Sequence, residues 1–382
     1  MSTLSVDTIT KADGSGSLSV PAESGTVVTT ASPSLGRRNL IINGAMQVAQ
    51  RGTSVSSVSS SGYRAVDRFR HSVTIGTWTI SQSTDAPDGF GYSMKMDCTT
   101  AEASPAPTDA LSFVHKIEGQ NLQHLKKGTA SAEQLTLSFW VKCTKTGTAQ
   151  VNLVDEDNTR MIGQQFTINA TNTWEQKTLT FAGDTTGALG NDNNSSLRVE
   201  IWLDAGSSYK SGATPTSWET LATTDYFAGC DLNLGDSTVN DIYITGVQLE
   251  VGSVATPFEH RSYGEELALC LRYAYCINQH TASYDYPMFN ASSYNASQAN
   301  MLIEFPVQMR DTPTLDSANS SGVYRYYRSG GNDPFDGLQL DAISNFACDI
   351  ANIGGLSNTA GQAGRFQLRT PDGAYIHFEA EL

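Results

Sequence analysis

With 382 residues, the chain has room for two or three domains, each large enough to bury a core. Its 24 Lys and Arg stand against 39 Asp and Glu, a formal charge of −15, and no basic stretch is present to neutralise phosphates. A nucleic-acid partner is thereby excluded, whereas a neutral or basic surface glycan is not. Charged residues are only 16% of the chain, and the abundance of Gly, Ser, Thr and Asn suits short strands and many turns rather than helices. No run approaches the ~18 apolar residues that span a bilayer, so membrane insertion is not expected. Residues 1–30 lack the charged start and apolar core of a signal peptide, which implies synthesis in a cytosol. Six cysteines (Cys98, Cys143, Cys230, Cys270, Cys276, Cys348) are scattered without a C-x-x-C pair and read as buried thiols rather than a disulfide framework.

Residues 1–36 contain no aromatic side chain; the first in the chain is Tyr63. Two short alternating pieces, 4–9 and 18–21, flank the turn-forming Asp13-Gly14-Ser15-Gly16. So little apolar surface cannot offset the entropy of ordering thirty residues. The segment is either a disordered tail or an arm ordered against copies of itself or a docking partner, and the arm is the reading carried forward.

Residues 37–261 read as a jelly-roll-like antiparallel β-sandwich. The stretch 39–44 is a short apolar strand ended by the turn signal Asn43-Gly44. Arg64, Asp67 and Arg68 precede Phe69 and read as an ion pair where the chain enters the sandwich. Period-two alternation then recurs at Leu135, Leu137, Phe139, Val141 and Cys143, at Val151 and Leu153, at Leu179 and Phe181, and at Leu197, Val199, Ile201 and Leu203. Many strands with one apolar face describe two packed sheets. The excursion 205–229 is a long loop by composition, and long loops on a rigid sandwich are where binding usually sits.

Ile242, Ile244, Val247 and Leu249 form a closing strand with Gly246 at a bulge position, and Pro257 ends it. A connecting helix is predicted over 262–278: Ser262 and Glu265 make a capping box, and Leu267, Cys270, Leu271 and Ala274 recur at i, i+3, i+4 and i+7. That stripe, on a helix of about 15 residues too isolated to be stable unpacked, is the candidate oligomerisation surface. Residues 279–382 are a smaller C-terminal β domain, Tyr- and Asn-rich, whose apolar content looks short of a core of its own. No repeat of 20–50 residues is present, which disfavours a β-helix.

Three segments carry a resemblance: NLIINGAMQVAQRG at 39–52, GVQLEVGSVATPFE followed by HRSYGEELALCLRY at 246–273, and PVQMRDTPTL at 306–315 with the end Ala380-Glu381-Leu382. In this order they resemble the junction of bacteriophage tail-fibre proteins that carry a carbohydrate-binding-module-like β-sandwich. The resemblance implies a homotrimeric virion fibre or spike, attached to other virion proteins through residues 1–36, contacting a host-surface glycan, and released by lysis. A purely structural capsid fibre or tail collar component, and a polysaccharide depolymerase, are the alternatives.

Glycosidic cleavage needs two carboxylates at a fixed separation in a cleft. The densest acidic stretch, Asp155-Glu156-Asp157, reads as a solvated turn; the same place offers Asp155, Asp157 and Asn158 as a candidate structural Ca²⁺ site, although the EF-hand pattern is absent. No histidine spacing fits a metal, and no G-x-S-x-G elbow or P-loop occurs. No catalytic residue and no cofactor are therefore assigned. Sugar recognition needs aromatic faces with amides and carboxylates at their edges. The candidates are Trp218, Tyr226 and Tyr209 in the long loop, and Tyr284, Tyr286, Tyr294, Tyr324, Tyr326 and Tyr327 in the C-terminal unit. Trp78, Trp140 and Trp202 are expected in the core.

Overall fold

The computed structural model describes residues 37–278, 286–369 and 374–382, together with the strands Ile9–Thr10 and Ser17–Leu18. The chain divides into two units, Met1–Arg38 and Asn39–Leu382. In the first, Ile9 pairs with Leu18 and Thr10 with Ser17, antiparallel. The rest of 1–36, and with it the expected docking arm, lies outside the described residues.

The second unit is mainly β, with one α-helix among the described residues. Its first part is an antiparallel sandwich. One sheet has seven strands in the order Glu219–Thr220, Arg160–Ile168, Gly147–Asp155, Ser195–Ala205, Ala110–Glu118, Arg70–Val73, Gly62–Tyr63. The other has six: Glu175–Phe181, Leu135–Cys143, Asp241–Val251, Ser93–Thr100, Thr77–Ser83, Ser54–Val58. The inward rows are those the alternation marks, Leu135 through Cys143 on one sheet and Leu197 through Leu203 on the other, and they share one core with Trp78, Phe113 and Phe181. The bulge expected in the closing strand is present, with a register shift between Thr245 and Gln248.

A second core lies between residues 291 and 380, where Met301, Ile303, Phe335, Phe366, Ile376 and Phe378 are buried. It forms under a seven-stranded sheet and a three-stranded one. The expectation that this region lacks enough apolar material is corrected here. Tyr324 and Tyr326 are fully buried and supply the missing volume, their hydroxyls donating to the carbonyls of Tyr375 (2.7 Å) and Gln362 (2.8 Å).

The helix is also corrected. The capping box forms as expected, Ser262 Oγ accepting from Glu265 N and Glu265 reaching back to Ser262 N. The helix nevertheless spans only Tyr263–Leu271, and Ala274 starts the strand Ala274–Asn278, which pairs with Tyr375–Glu379. Tyr-Ala-Tyr-Cys-Ile is strand-favouring material, and the ladder satisfies backbone groups that a longer helix would leave to itself. Cys270 is buried, Leu267 and Leu271 are half-buried, and Ala274 no longer shares their stripe.

Sandwich and C-terminal sheets meet at a buried joint of charges. Arg68, with no exposed surface, pairs with Glu381, donates to Lys116 O (2.8 Å), and lies 3.4 Å from the Tyr273 ring. Arg51 reaches Glu379 (2.8 Å), Glu381 (3.1 Å) and Asp67 (3.7 Å). Arg272 grips Glu118 through two 2.8 Å bonds, and Tyr273 OH donates to the same carboxylate. Arg310 donates to Ala380 O (2.7 Å), Glu381 O (3.1 Å) and Asn193 O (3.1 Å). The ion pair expected within Arg64-Asp67-Arg68 is thus not internal: Asp67 and Arg68 pair with Arg51 and Glu381, and Arg64 bonds Ser60. All six cysteines are free, Cys276 half-buried and the others buried.

Two predictions follow from the buried charges. Arg68→Ala leaves Glu381 without its closest cation and should cost about 3–5 kcal/mol in urea unfolding, whereas Arg68→Met with Glu381→Met should recover most of it. A cost under about 1 kcal/mol for the single change would remove the joint from the stability account. The second concerns acid. Burial holds His71 down to about 3 and His115 well below its ordinary value. Both stay neutral when folded but protonate when unfolded, so stability present above about 6.5 is lost as pH falls. Burial pushes Asp67 up to about 6, the opposite sign: its contribution is present at low pH and fades as pH rises through 6. His71 and His115 carry the larger shifts, so unfolding free energy should fall as the pH drops from 6 to 4. A flat profile there contradicts the assignment.

Candidate functional site

The long loop does not present its rings outward. Tyr226 is buried and stacks on Trp202, centroids 4.9 Å apart, while Arg198 donates to its hydroxyl (2.9 Å). Half-buried Tyr209 packs 5.0 Å from Trp202. Beneath them, Gln150 Nε2 donates to Asp225 O (2.7 Å) and Asn152 Nδ2 to Tyr226 O (2.9 Å). The loop therefore closes this part of the seven-stranded sheet with its own aromatics. Trp218 is half-buried, its Nε1 donating to Ala182 O (2.7 Å) with Lys127 Nζ 5.3 Å from the ring. A shallow groove of about 330 Å³ beside the loop is lined by Gln164, Gln165, Thr214 and Thr216, with no ring.

Of the C-terminal candidates, Tyr324 and Tyr326 belong to the core, and only Tyr294 and Tyr327 are exposed. Tyr327 carries the Arg365 guanidinium 4.9 Å from its ring. Tyr284 and the side chain of Tyr286 lie outside the described residues.

The acidic stretch does enter a turn, at 156–159, where Asp157 is exposed, but Asp155 ends the preceding strand and is buried, and its cation is the protein's own. Asp155 is fully buried against Lys127 Nζ, which also meets Asp184 (3.0 Å) and the carbonyls of Thr186 (3.0 Å) and Gly187 (2.9 Å). Asn158 donates to Asp155, and Asp157 accepts from Gly190 N (2.8 Å). Glu156 binds Arg198 (2.8 Å) and Ser195. Lys127 Nζ is thus the cation that Asp155 and Asp184 share, while Asp157 is taken up by the backbone. No cluster of metal-ligating side chains occurs among the described residues.

The surface that sequence reasoning missed is the outer face of the six-stranded sheet. Beyond Val251 the chain turns back across one half of it. Glu250 accepts from Thr256 N (2.8 Å) and Oγ1 (2.7 Å), and Gln248 accepts from Glu259 N (2.8 Å). The outward Thr136, Ser138, Gln248 and Glu250 are consequently buried. The other half is covered only in part, by the segment 85–92: Trp174 Nε1 donates to Asp85 (3.2 Å), Thr245 Oγ1 donates to Tyr92 O (2.7 Å), and the rings between are half-buried. There Tyr243 stands in register between Lys142 and Lys95, Trp174 packs edge-on against it (6.3 Å), and Trp140 lies two residues along the strand from Lys142. Trp140, expected in the core, is half-buried on this outer face. Gly246 lets the sheet carry it: with φ +62°, its missing Cβ would fall 2.7 Å from Phe90 and 3.1 Å from Trp140.

Charges line the rings. Lys142 Nζ sits 4.4 Å from the Tyr243 centroid and 5.5 Å from Trp174, and pairs with Asp85. The Lys142 bond is the main reason the Asp85 carboxyl is held below its usual range. Lys95 Nζ meets Asp97 (3.1 Å) and Asp241 (3.2 Å) and lies 5.2 Å from the Tyr243 ring centroid. Rings flanked by carboxylates can stack on a sugar and accept its hydroxyls. The signal was available: Trp140 and Tyr243 occupy the polar phase of an alternating strand, where a large ring has no core to fill.

The Lys127 cluster makes a direct prediction. Adding Ca²⁺ or a chelator should move the melting midpoint by less than about 1 °C. Lys127→Met should destabilise by about 3–5 kcal/mol, since Asp155 and Asp184 lose their cation. A Ca²⁺-dependent midpoint would overturn this reading.

No protein-family model matches the sequence, and no curated protein matches it. Among solved structures, the enzymatically active domain of tailspike protein 4 of bacteriophage CBA120 is similar at 16% identity and a TM-score of 0.30, covering 56% of this chain and 21% of that chain. The family 11 carbohydrate-binding module of Clostridium thermocellum, solved with a mixed-linked tetrasaccharide, is similar at 8% identity and a TM-score of 0.27, covering 58% of this chain and 100% of its own. The xylan-binding CBM22-1 domain of Paenibacillus barcinonensis is similar at 10% identity and a TM-score of 0.26, with 55% and 100% covered. Likeness at this level carries no argument about what the chain binds.

Proposed function

We propose that this protein is a fibre or spike component of a tailed-bacteriophage virion that contacts the host surface by binding carbohydrate through the open half of the six-stranded sheet. The observation that carries the binding role is the outward row of half-buried Trp174, Tyr243 and Trp140, bordered by Asp85, Asp97 and Asp241, on a face that the segment 85–92 covers only in part. Three large rings brought by three segments to one sheet face make a platform that the C–H face of a sugar would cover. The virion role is supported by the resemblance of segments 39–52, 246–273 and 306–315. In this reading residues 1–36 attach to other virion proteins, the assembly is a homotrimer, and release is by lysis. In this reading the face binds without cleaving; Asp155 and Glu156, the acids on which a depolymerase reading would rest, are committed to Lys127 and to Arg198 and Ser195.

Trp174→Ala or Tyr243→Ala should weaken binding of the labelled protein to host cells by about tenfold or more, while Trp174→Phe retains most of it. Tyr294→Ala and Tyr327→Ala should leave it unchanged. If the two distal changes abolish binding and the sheet changes do not, the contact lies in the C-terminal unit instead. Light scattering of the full chain should give the mass of three copies; a monomer contradicts the fibre assignment.

A further inference from the structure

Resting on that carbohydrate-binding reading, we infer that the ligand of the open half-sheet is an uncharged sugar ring presenting hydroxyl donors, and that acidic polysaccharides are excluded. The two cations of the face are already engaged. Lys142 is held by Asp85 between Trp174 and Tyr243, and its side chain is only 14% exposed. Lys95 is held by Asp97 and Asp241 and is 25% exposed. The carboxylates face solvent more fully: Asp85 is 44% and Asp97 43% exposed. A uronic or sialic acid approaching the rings would meet these acids before any ammonium. Three carboxylates against two ammoniums leave the face net negative, on a chain whose formal charge is −15.

Hydroxyl recognition is supplied by the same groups. Asp241 Oδ2 takes Lys95 and the Tyr243 hydroxyl (3.3 Å), whereas its Oδ1 is enclosed and has no donor among the described residues. That oxygen is sealed from solvent, so the acceptors a sugar hydroxyl can reach are the half-exposed Asp85 and Asp97 beside the rings. The rings take the apolar C–H face, and Asp85 and Asp97 take the hydroxyl edge.

The test uses the full chain in affinity electrophoresis through gels containing neutral polymers (dextran, mannan, galactan) or acidic ones (polygalacturonate, alginate, polysialic acid), at low and high salt. At least one neutral polymer should retard the protein at both salt concentrations, and the acidic polymers should not at low salt, where repulsion is least screened. Asp97→Asn, which keeps the size of the side chain, should weaken the retardation about tenfold, and Trp174→Ala should abolish it. Retardation by an acidic polymer that Trp174→Ala removes would overturn the inferred sugar class while leaving the face in place. Retardation by a neutral polymer unchanged in both variants would overturn the face itself. No retardation by any polymer, with host-cell adhesion intact, would bring down the carbohydrate reading as a whole.

Discussion

Arg68 is the side chain on which the described fold most depends. It is a guanidinium with no exposed surface, held by Glu381 near one end of the chain, by Lys116 O in the sandwich and by the Tyr273 ring beyond the helix. Desolvating that charge is costly, and the cost is offset only when all three partners are in place together. The neighbouring Arg51, Arg272 and Arg310 are satisfied under the same condition. The joint therefore behaves as an all-or-none latch between two cores that would otherwise share little apolar surface. Glu118 fits this account: burial raises its carboxyl, yet the bonds from Arg272 and Tyr273 win and hold it below the usual range.

The segments that carry the tail-fibre resemblance converge on this joint. Asn39 accepts from Ile41 N and Leu249 N and donates to Val247 O, tying the first segment to the closing strand. Gly44 lies so close to that strand that a Cβ would sit 2.1 Å from Val247 O. Glu266 of the helix accepts from Asn43 N and from Arg261. Arg51 from the first segment, Arg272 from the second and Arg310 from the third all terminate in the ion network. What these segments encode is how a sandwich is fastened to a C-terminal sheet. The face proposed to meet the host shares only the strand Asp241–Val251 with them, which leaves its outward side chains free of the latch.

Much of this architecture was legible in residue order because alternation and capping are local. The inward rows of the sandwich, the bulge at Gly246 and the capping box at Ser262 all follow from neighbours a few positions apart. All but one of the failures share a cause: partners distant in sequence. The helix stops at Leu271 because Ala274–Asn278 finds a ladder with Tyr375–Glu379, about a hundred residues on. Asp155 reads as a solvated acid until Lys127, across two turns of chain, is placed on it. Tyr324 and Tyr326 read as contact residues until their hydroxyls find carbonyls inside the second core. Trp140 was a different error, since the alternation already put it opposite Phe139 and Val141.

The central functional claim is that binding occurs on the open half-sheet and not on the loop that closes the other sheet. Hydrogen–deuterium exchange of the intact protein, with and without purified host-surface polysaccharide, tests this most directly. Slower exchange on binding in peptides spanning 91–98, 139–145, 172–178 and 241–246, with 205–229 and 324–335 unchanged, is the predicted result. Protection confined to 205–229 or to the C-terminal sheet would contradict it.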